Sequence, residues 1–429
     1  MTLPNPFTPS RIATDPGDFY GRRDELQDIE RRFRTGSVAI QGAMGIGKSS
    51  LMAQSRKRME GFDNPGQSSK SILCVCNQET QSIDDLARMI LEKLVTIDEE
   101  SREVIWKVPF VEVAERKSVE VTRNFVEGRH MAALNRLLAA DYIKESVADD
   151  KLLIIAIDEA DKNPSGIARL VRTLLSETQG NEVNNVRFLL CGVEPFFNEL
   201  VNEDRGILRF IPSPITLAPL SDEETFDLLV GKFQLVLQAA DEAGEQLNIH
   251  PAITDRVFQL SGGRPDIIQL LGSHLVDAEN DEQDGIIDER DLVAALRRIC
   301  MRDRKQYYED MFHQLELSGM VDPFLTLLER MSTTFPTALD AERALKIMRP
   351  TNLRWLVDRN FIGYDGLKYY LKDELMRVRL TIQNDERLKG PAELKAYLEA
   401  LRKTPGQLSQ HDEYDPDNPG YTHYPGGSD

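Results

Sequence analysis

The stretch Ser37-Val38-Ala39-Ile40-Gln41-Gly42-Ala43-Met44-Gly45-Ile46-Gly47-Lys48-Ser49-Ser50 decides the fold. Residues 42–49 match every position of G-x-x-x-x-G-K-[ST], the pattern of a phosphate-binding loop. Residues 37–41 in front read as a short apolar strand, and residues 49–56 behind begin a helix. Gly42, Gly45 and Gly47 let main-chain N–H groups fold around a phosphate chain, which bulkier side chains would obstruct. The helix that follows points its partly positive end at the same anion. Lys48 is expected to reach the β- and γ-phosphates and the Ser49 hydroxyl to take a position on Mg²⁺, with Ile46 and Ser50 in the same contact set. The plain alternative, a glycine-rich turn with a chance lysine, needs the four specified positions of an eight-residue pattern to coincide in the right context. A nucleoside triphosphate site is therefore implied, for ATP rather than GTP, since no Asn/Thr-Lys-x-Asp guanine-reading element is present.

The rest of the chain sets the bounds. Its 429 residues leave room for two or three domains, and 41% apolar with 29% charged residues is ordinary for a soluble globular protein. No apolar run approaches the roughly 20 residues of a membrane helix, and the polar start Met1-Thr2-Leu3-Pro4-Asn5 is no secretory signal. Cysteines at 74, 76, 191 and 300 have no metal-site spacing; Cys74 and Cys76 share one face of a predicted strand and are expected to pack rather than bond. A reducing cytoplasm is the simplest home. The net charge of −19 argues against a chain coated for nucleic acid, yet residues 296–380 carry 15 Lys+Arg against 12 Asp+Glu.

Strand-like runs at 37–41, 71–76, 151–157, 186–191 and 214–217 alternate with helical patterns at 82–96, 131–145 and 165–179. Ile, Val and Leu without clean alternation suggest strands buried on both faces, so residues 1–219 are expected to form a three-layer α/β core on a parallel sheet. An insert spans about 97–150, in which residues 108–121 alternate well enough for a hairpin, either a partner contact or a decorated surface loop. From Ser221 the pattern turns helical, with Ser221-Asp222-Glu223-Glu224 as a capping box and further helices at 251–260, 265–277 and 288–300. Residues 220–303 thus predict a four-helix lid. Residues 304–382 predict helices at 305–317, 322–332, 337–348 and 351–359, then a hairpin turning at Asp365-Gly366, which together spell a winged helix. Residues 383–429 predict a helix and, beyond 404, a flexible acidic tail in which Tyr414, Tyr421 and Tyr424 are a docking motif or incidental aromatics.

Residues 151–160 end an apolar strand in two acids, a Walker-B arrangement. Asp158 is expected to hold the Mg²⁺ shell, and Glu159 to polarise an attacking water. Asp158-Glu159-Ala160-Asp161 echoes a helicase box, without the other helicase motifs.

At this point a resemblance emerges. Phe19-Tyr20-Gly21-Arg22-Arg23-Asp24-Glu25-Leu26 resembles the F-x-G-R-x-x-E-L element of AAA+ initiator ATPases and of signal-transducing (STAND) NTPases, where it packs on the adenine; Tyr20, Gly21 and Arg22 inherit that role by position. Gly263-Arg264-Pro265 resembles the G-x-P element of STAND lids, whose proline touches the base. The resemblance covers residues 1–380 and implies an ASCE/AAA+-type P-loop core, a helical lid and a C-terminal winged helix. It also implies a lid sensor at Arg264, otherwise a solvated residue. By the same token Arg205 or Arg209 is an arginine finger acting on a neighbour's nucleotide, otherwise the partner of acids such as Glu203 and Asp204. Cys191 departs from the pattern: AAA+ proteins carry Asn, Thr or Ser there, and a thiol reports the γ-phosphate poorly.

Two readings follow. One is an ATP-driven switch with slow hydrolysis and nucleotide-dependent self-assembly, controlling a protein partner. The other is a DNA-remodelling AAA+ ATPase that assembles on duplex DNA through Arg349, Arg354, Arg359, Lys368 and Lys372. A metabolic kinase would use the same loop, but no separate acceptor site is visible.

Overall fold

The computed structural model describes residues 2–61, 69–77, 80, 82–97, 104–106, 127–138, 152–180, 185–331 and 337–383. The hairpin expected at 108–121 and the tail expected beyond 404 lie outside them. Two compact units result: residues 10–220 with 264–266, and residues 1–9, 221–263 and 267 onward.

The first unit carries strands β1 (Val38–Gly42), β2 (Lys70–Val75), β3 (Val95–Ile97), β4 (Val104–Trp106), β5 (Leu153–Asp158), β6 (Val186–Val193) and β7 (Ile215–Leu217). Five of them form one parallel sheet in the order β2-β5-β6-β1-β7, while β3 and β4 make a short antiparallel pair. Helices α1 (Arg23–Phe33), α2 (Lys48–Met59), α3 (Ile83–Leu94), α4 (His130–Leu138), α5 (Pro164–Gly180) and α6 (Phe196–Glu203) accompany it.

Alternate residues of each strand explain the layering. Val38, Ile40, Ile154, Ala156, Leu189 and Cys191 pack with Leu26, Ile29 and Phe33 of α1 and with Leu51 and Met52 of α2. The residues between them, Ala39, Ile155, Ile157, Phe188 and Leu190, pack with the apolar stripes of α3, α4 and α5. The strands β1, β5 and β6 therefore each feed two cores, which is why their sequences lack polar alternation. The fold is the three-layer α/β P-loop architecture. Cys74 and Cys76 are buried in the second core as free thiols, and burial pushes both up to about 12.

The second unit begins with α7 (Asp222–Glu242), α8 (Ala252–Ser261), α9 (Pro265–Glu282, from Ile267 on) and α10 (Glu289–Arg298). Strands β8 (Asn248–Ile249) and β9 (Ile286–Ile287) pair in parallel. The capping box forms: the Ser221 hydroxyl accepts from the Glu224 N–H at 3.1 Å, and the Glu224 carboxylate accepts from the Ser221 N–H at 2.9 Å. Asp288 and Asp291 form a second one. The N-terminal residues join this unit through Phe7, buried edge-on against Phe233 with ring centroids 5.2 Å apart.

Next come α11 (Lys305–Leu317), α12 (Val321–Arg330), β10 (Ala338–Asp340), α13 (Ala341–Ile347), α14 (Pro350–Asp358), β11 (Ile362–Tyr364), β12 (Lys368–Leu371) and α15 (Glu374–Gln383). The antiparallel order is β10-β12-β11. The helix expected at 337–348 thus starts later, because 338–340 pairs with β12 as an edge strand. The Asp365-Gly366 turn forms as expected: the Asp365 carboxylate accepts from the N–H groups of Leu367 and Lys368, and Gly366 adopts φ +97°. Among the described residues no helix is long and apolar enough to cross a membrane.

Candidate nucleotide site

The site lies at the carboxyl ends of β1, β5 and β6 within the first unit. Gly45 and Gly47 take φ of +76° and +94°, the left-handed region that the loop requires and that glycine adopts freely. Gly47 is the residue from which α2 starts, so the first N–H groups of that helix face the loop's interior. The Lys48 ammonium donates to the carbonyls of Gly42 and Ala43, at 3.0 and 2.8 Å. Burial lowers its pKa, while nearby Cys191, Asp161 and Asp158 act the other way.

The strand β5 ends at Asp158, half-buried, whose Oδ1 accepts from the Glu159 N–H at 2.9 Å. Glu159 is exposed and itself left-handed, at φ 51° and ψ 35°. A non-glycine residue held there is uncommon and marks a turn imposed by its surroundings. Cys191 is fully buried between β1 and its other neighbours, and burial drives its thiol well above the usual range.

The remaining expected residues fall into two groups. Gly21 and Arg22 are both left-handed and lead into α1. Arg22 is buried; its guanidinium donates to the carbonyls of Ile46 (3.3 Å) and Ala218 (2.5 Å) and to the Glu25 carboxylate (3.1 Å). It braces the phosphate loop against the chain just past β7. Tyr20, beside it, is half-buried. The Ser50 hydroxyl accepts from the Ala13 N–H at 3.1 Å, while Ser49, half-buried, opens the same helix. Pro265 lies over Gly47, 3.9 Å from where a Cβ on that glycine would stand. Arg264 donates to the Asp266 carboxylate at 3.0 Å and toward the Met44 carbonyl at 3.5 Å.

Arg205 and Arg209 stand apart from this cluster, exposed on the single turn Arg205–Arg209 ahead of β7. Asp204 is not their partner: it pairs with Arg172 at 2.5 Å and caps the turn through the Gly206 N–H. Arg209 lies 5.9 Å from the Phe210 ring centroid. Two acids take part that the sequence reading assigned no role. Asp161 accepts from the Val193 N–H at 3.0 Å, and Asp266 sits on Gly45. The Asp158–Asp161 string was the available signal for the first; nothing local pointed to the second.

These features match a known architecture. Over 86% of this chain and 98% of its own, the Walker-type ATPase PABY2304 of Pyrococcus abyssi superposes with a TM-score of 0.52 at 15% identity. The two chains share a fold. The ORC2 protein of Aeropyrum pernix, solved as ADPNP–ADP complexes, matches at TM-score 0.48 and 13% identity over 88% of this chain and 98% of its own. No protein-family model matches the chain, and no curated protein matches it in sequence.

Proposed function

We propose that the protein binds ATP with Mg²⁺ at this site and hydrolyses it slowly, as a switch of the AAA+/STAND kind that controls assembly with a protein partner. The observation that carries the reading is a loop at the carboxyl end of β1 whose glycines hold the left-handed turns of a phosphate cradle, with Lys48 bonded back onto it and Asp158 at the same end of β5 in the same parallel sheet. The donor set suits the ligand. N–H groups of Gly45, Ile46, Gly47, Lys48 and Ser49, with the Lys48 ammonium, would hold the phosphates, and Ser49 and Asp158 would hold Mg²⁺. The ion neutralises charge on the β- and γ-phosphates when bound. Glu159, exposed, would orient and polarise a water. Slow turnover is supported by Cys191, since a buried neutral thiol offers the γ-phosphate little.

The exposed arginines 205 and 209 suit self-assembly, in which one or the other would reach the nucleotide of a neighbouring copy, with charge stabilisation in trans as the gain. The helices of 220–303 would act as the lid and 304–382 as a winged helix, in a cytoplasmic protein. Light scattering after size-exclusion chromatography tests this on wild type and Glu159→Gln, without nucleotide, with ATP–Mg²⁺, and with duplex DNA added. A nucleotide-dependent change of mass, indifferent to DNA, is expected; no response to nucleotide would overturn the switch.

One observation favours a second reading, DNA-dependent assembly. Arg349, Arg354 and Arg359, at the ends and on the face of α14, and Lys368 and Lys372, at and just past β12, are all exposed. Arg354 pairs with exposed Asp358, at 3.8 Å. If this face meets DNA, Arg354→Ala with Lys368→Ala weakens binding and flattens its salt dependence by about one unit for each phosphate no longer neutralised; unchanged binding removes the reading.

A further inference from the structure

The strands β5 and β6 pair in register from Leu153 with Val186 to Ile157 with Leu190, and there the ladder stops. The β6 strand runs three residues further, to Val193, paired on its other side with β1 as far as Gly42. The β5 chain meanwhile leaves the sheet: the Asp158 carbonyl accepts from the Cys76 N–H at 3.0 Å on the β2 side, Glu159 turns left-handed, and Ala160–Lys162 form a single 3₁₀ turn. The acids that would do the chemistry therefore lie just past the last backbone rung to β6. One bond bridges the gap. Asp161 Oδ1 accepts from the Val193 N–H at 3.0 Å, in place of the carbonyl that a continued ladder would offer.

We propose that Asp161 is a positioning residue, whose carboxylate oxygen serves as the missing rung and fixes the turn carrying Asp158 and Glu159 to the end of β6. Through the Gly42–Val193 pair the same tie reaches the first residue of the phosphate loop, so one side chain sets the distance between the acids and Lys48. The tie also suits the residue at 191. A polar side chain there could link β6 to the site directly, and buried Cys191 cannot; Asp161 makes the link from the β5 side.

The consequence for turnover rests on the ATPase reading; the tie itself does not, and two measurements separate them. In the nucleotide-free protein, deuterium exchange of peptides spanning Val193 should quicken severalfold in Asp161→Ala and stay near wild type in Asp161→Asn, which keeps an acceptor oxygen. Steady-state hydrolysis should fall about 10- to 100-fold in kcat for Asp161→Ala with little change in KM, because a displacement near 1 Å costs that much. Asp161→Asn should recover most of it. Unchanged exchange in Asp161→Ala overturns the tie. Equal kcat losses in both variants overturn the positioning role in turnover, because charge and not the rung would then be what matters. A wild type that hydrolyses nothing refutes the ATPase reading while the exchange result still decides the tie.

Discussion

Asp266 places its carboxylate against Gly45, so close that a Cβ on that glycine would lie 2.3 Å from it, and Arg264 holds the same carboxylate at 3.0 Å. An acid resting on a phosphate loop opposes a polyphosphate, and it occupies the arginine that would otherwise favour one. Asp266→Asn should tighten ATP and ADP binding about 3- to 10-fold, the range expected of one partly exposed charge. Arg264→Ala should weaken it by a similar factor. Titration of a fluorescent nucleotide at fixed Mg²⁺ reads both, and looser binding by Asp266→Asn would show that the carboxylate serves the site instead.

Arg22 carries a structural duty. Truncation to Ala leaves the Ile46 and Ala218 carbonyls without their shared donor, at about 1–3 kcal/mol for buried groups left unpaired. Lysine should restore little, because an ammonium cannot span the two carbonyls as a planar fork does. Thermal melting of Arg22→Ala and Arg22→Lys checks this, with both expected well below wild type.

Glu159→Gln should lower hydrolysis about 100-fold or more while nucleotide is still retained, whereas Lys48→Ala should abolish retention. Single-turnover chase separates the two outcomes. Retained hydrolysis in Glu159→Gln would move the water-activating role to another acid.

Glu374 gives a pH signature. Its carboxyl is buried and bonded to the Thr337 N–H at 3.0 Å and the Thr337 hydroxyl at 2.8 Å, and burial raises its pKa from 4.5 to about 7. The folded state therefore binds this proton more tightly than the unfolded state. Its contribution to stability is complete below pH 4.5 and is lost as pH rises through about 7. The stability of wild type minus that of Glu374→Gln should fall by up to about 3 kcal/mol between acid and neutral pH, measured by urea unfolding. A flat difference would place the titration elsewhere, the buried acids Asp291, raised to about 6, and Glu279, also raised by burial, being further candidates.

What could be read from sequence was what repeats along the chain. The loop from Gly42 to Ser49 is legible because its spacing encodes its own conformation, and β5 because two-sided burial removes polar alternation. The capping box at Ser221 needs only four consecutive residues. Contacts between distant segments were not legible. That Val193 ends beside Asp161 depends on β5 and β6 being neighbours, and that Arg22 reaches Ala218 depends on β7 flanking β1. Residues 338–340 look helical because so short a run is decided by its partner strand, not by its own preference.

The four buried cysteines lend the molecule a built-in clock. Each thiol is shut away, Cys191 and Cys300 wholly so, and a reagent such as an alkylating dye can reach one only when its surroundings open. Labelling rates then count openings: Cys74 and Cys76 time the outer edge of the sheet, Cys191 the strand beneath the loop, and Cys300 the second unit. A bound nucleotide that braces the loop should slow the tick at Cys191 and leave that of Cys300 running.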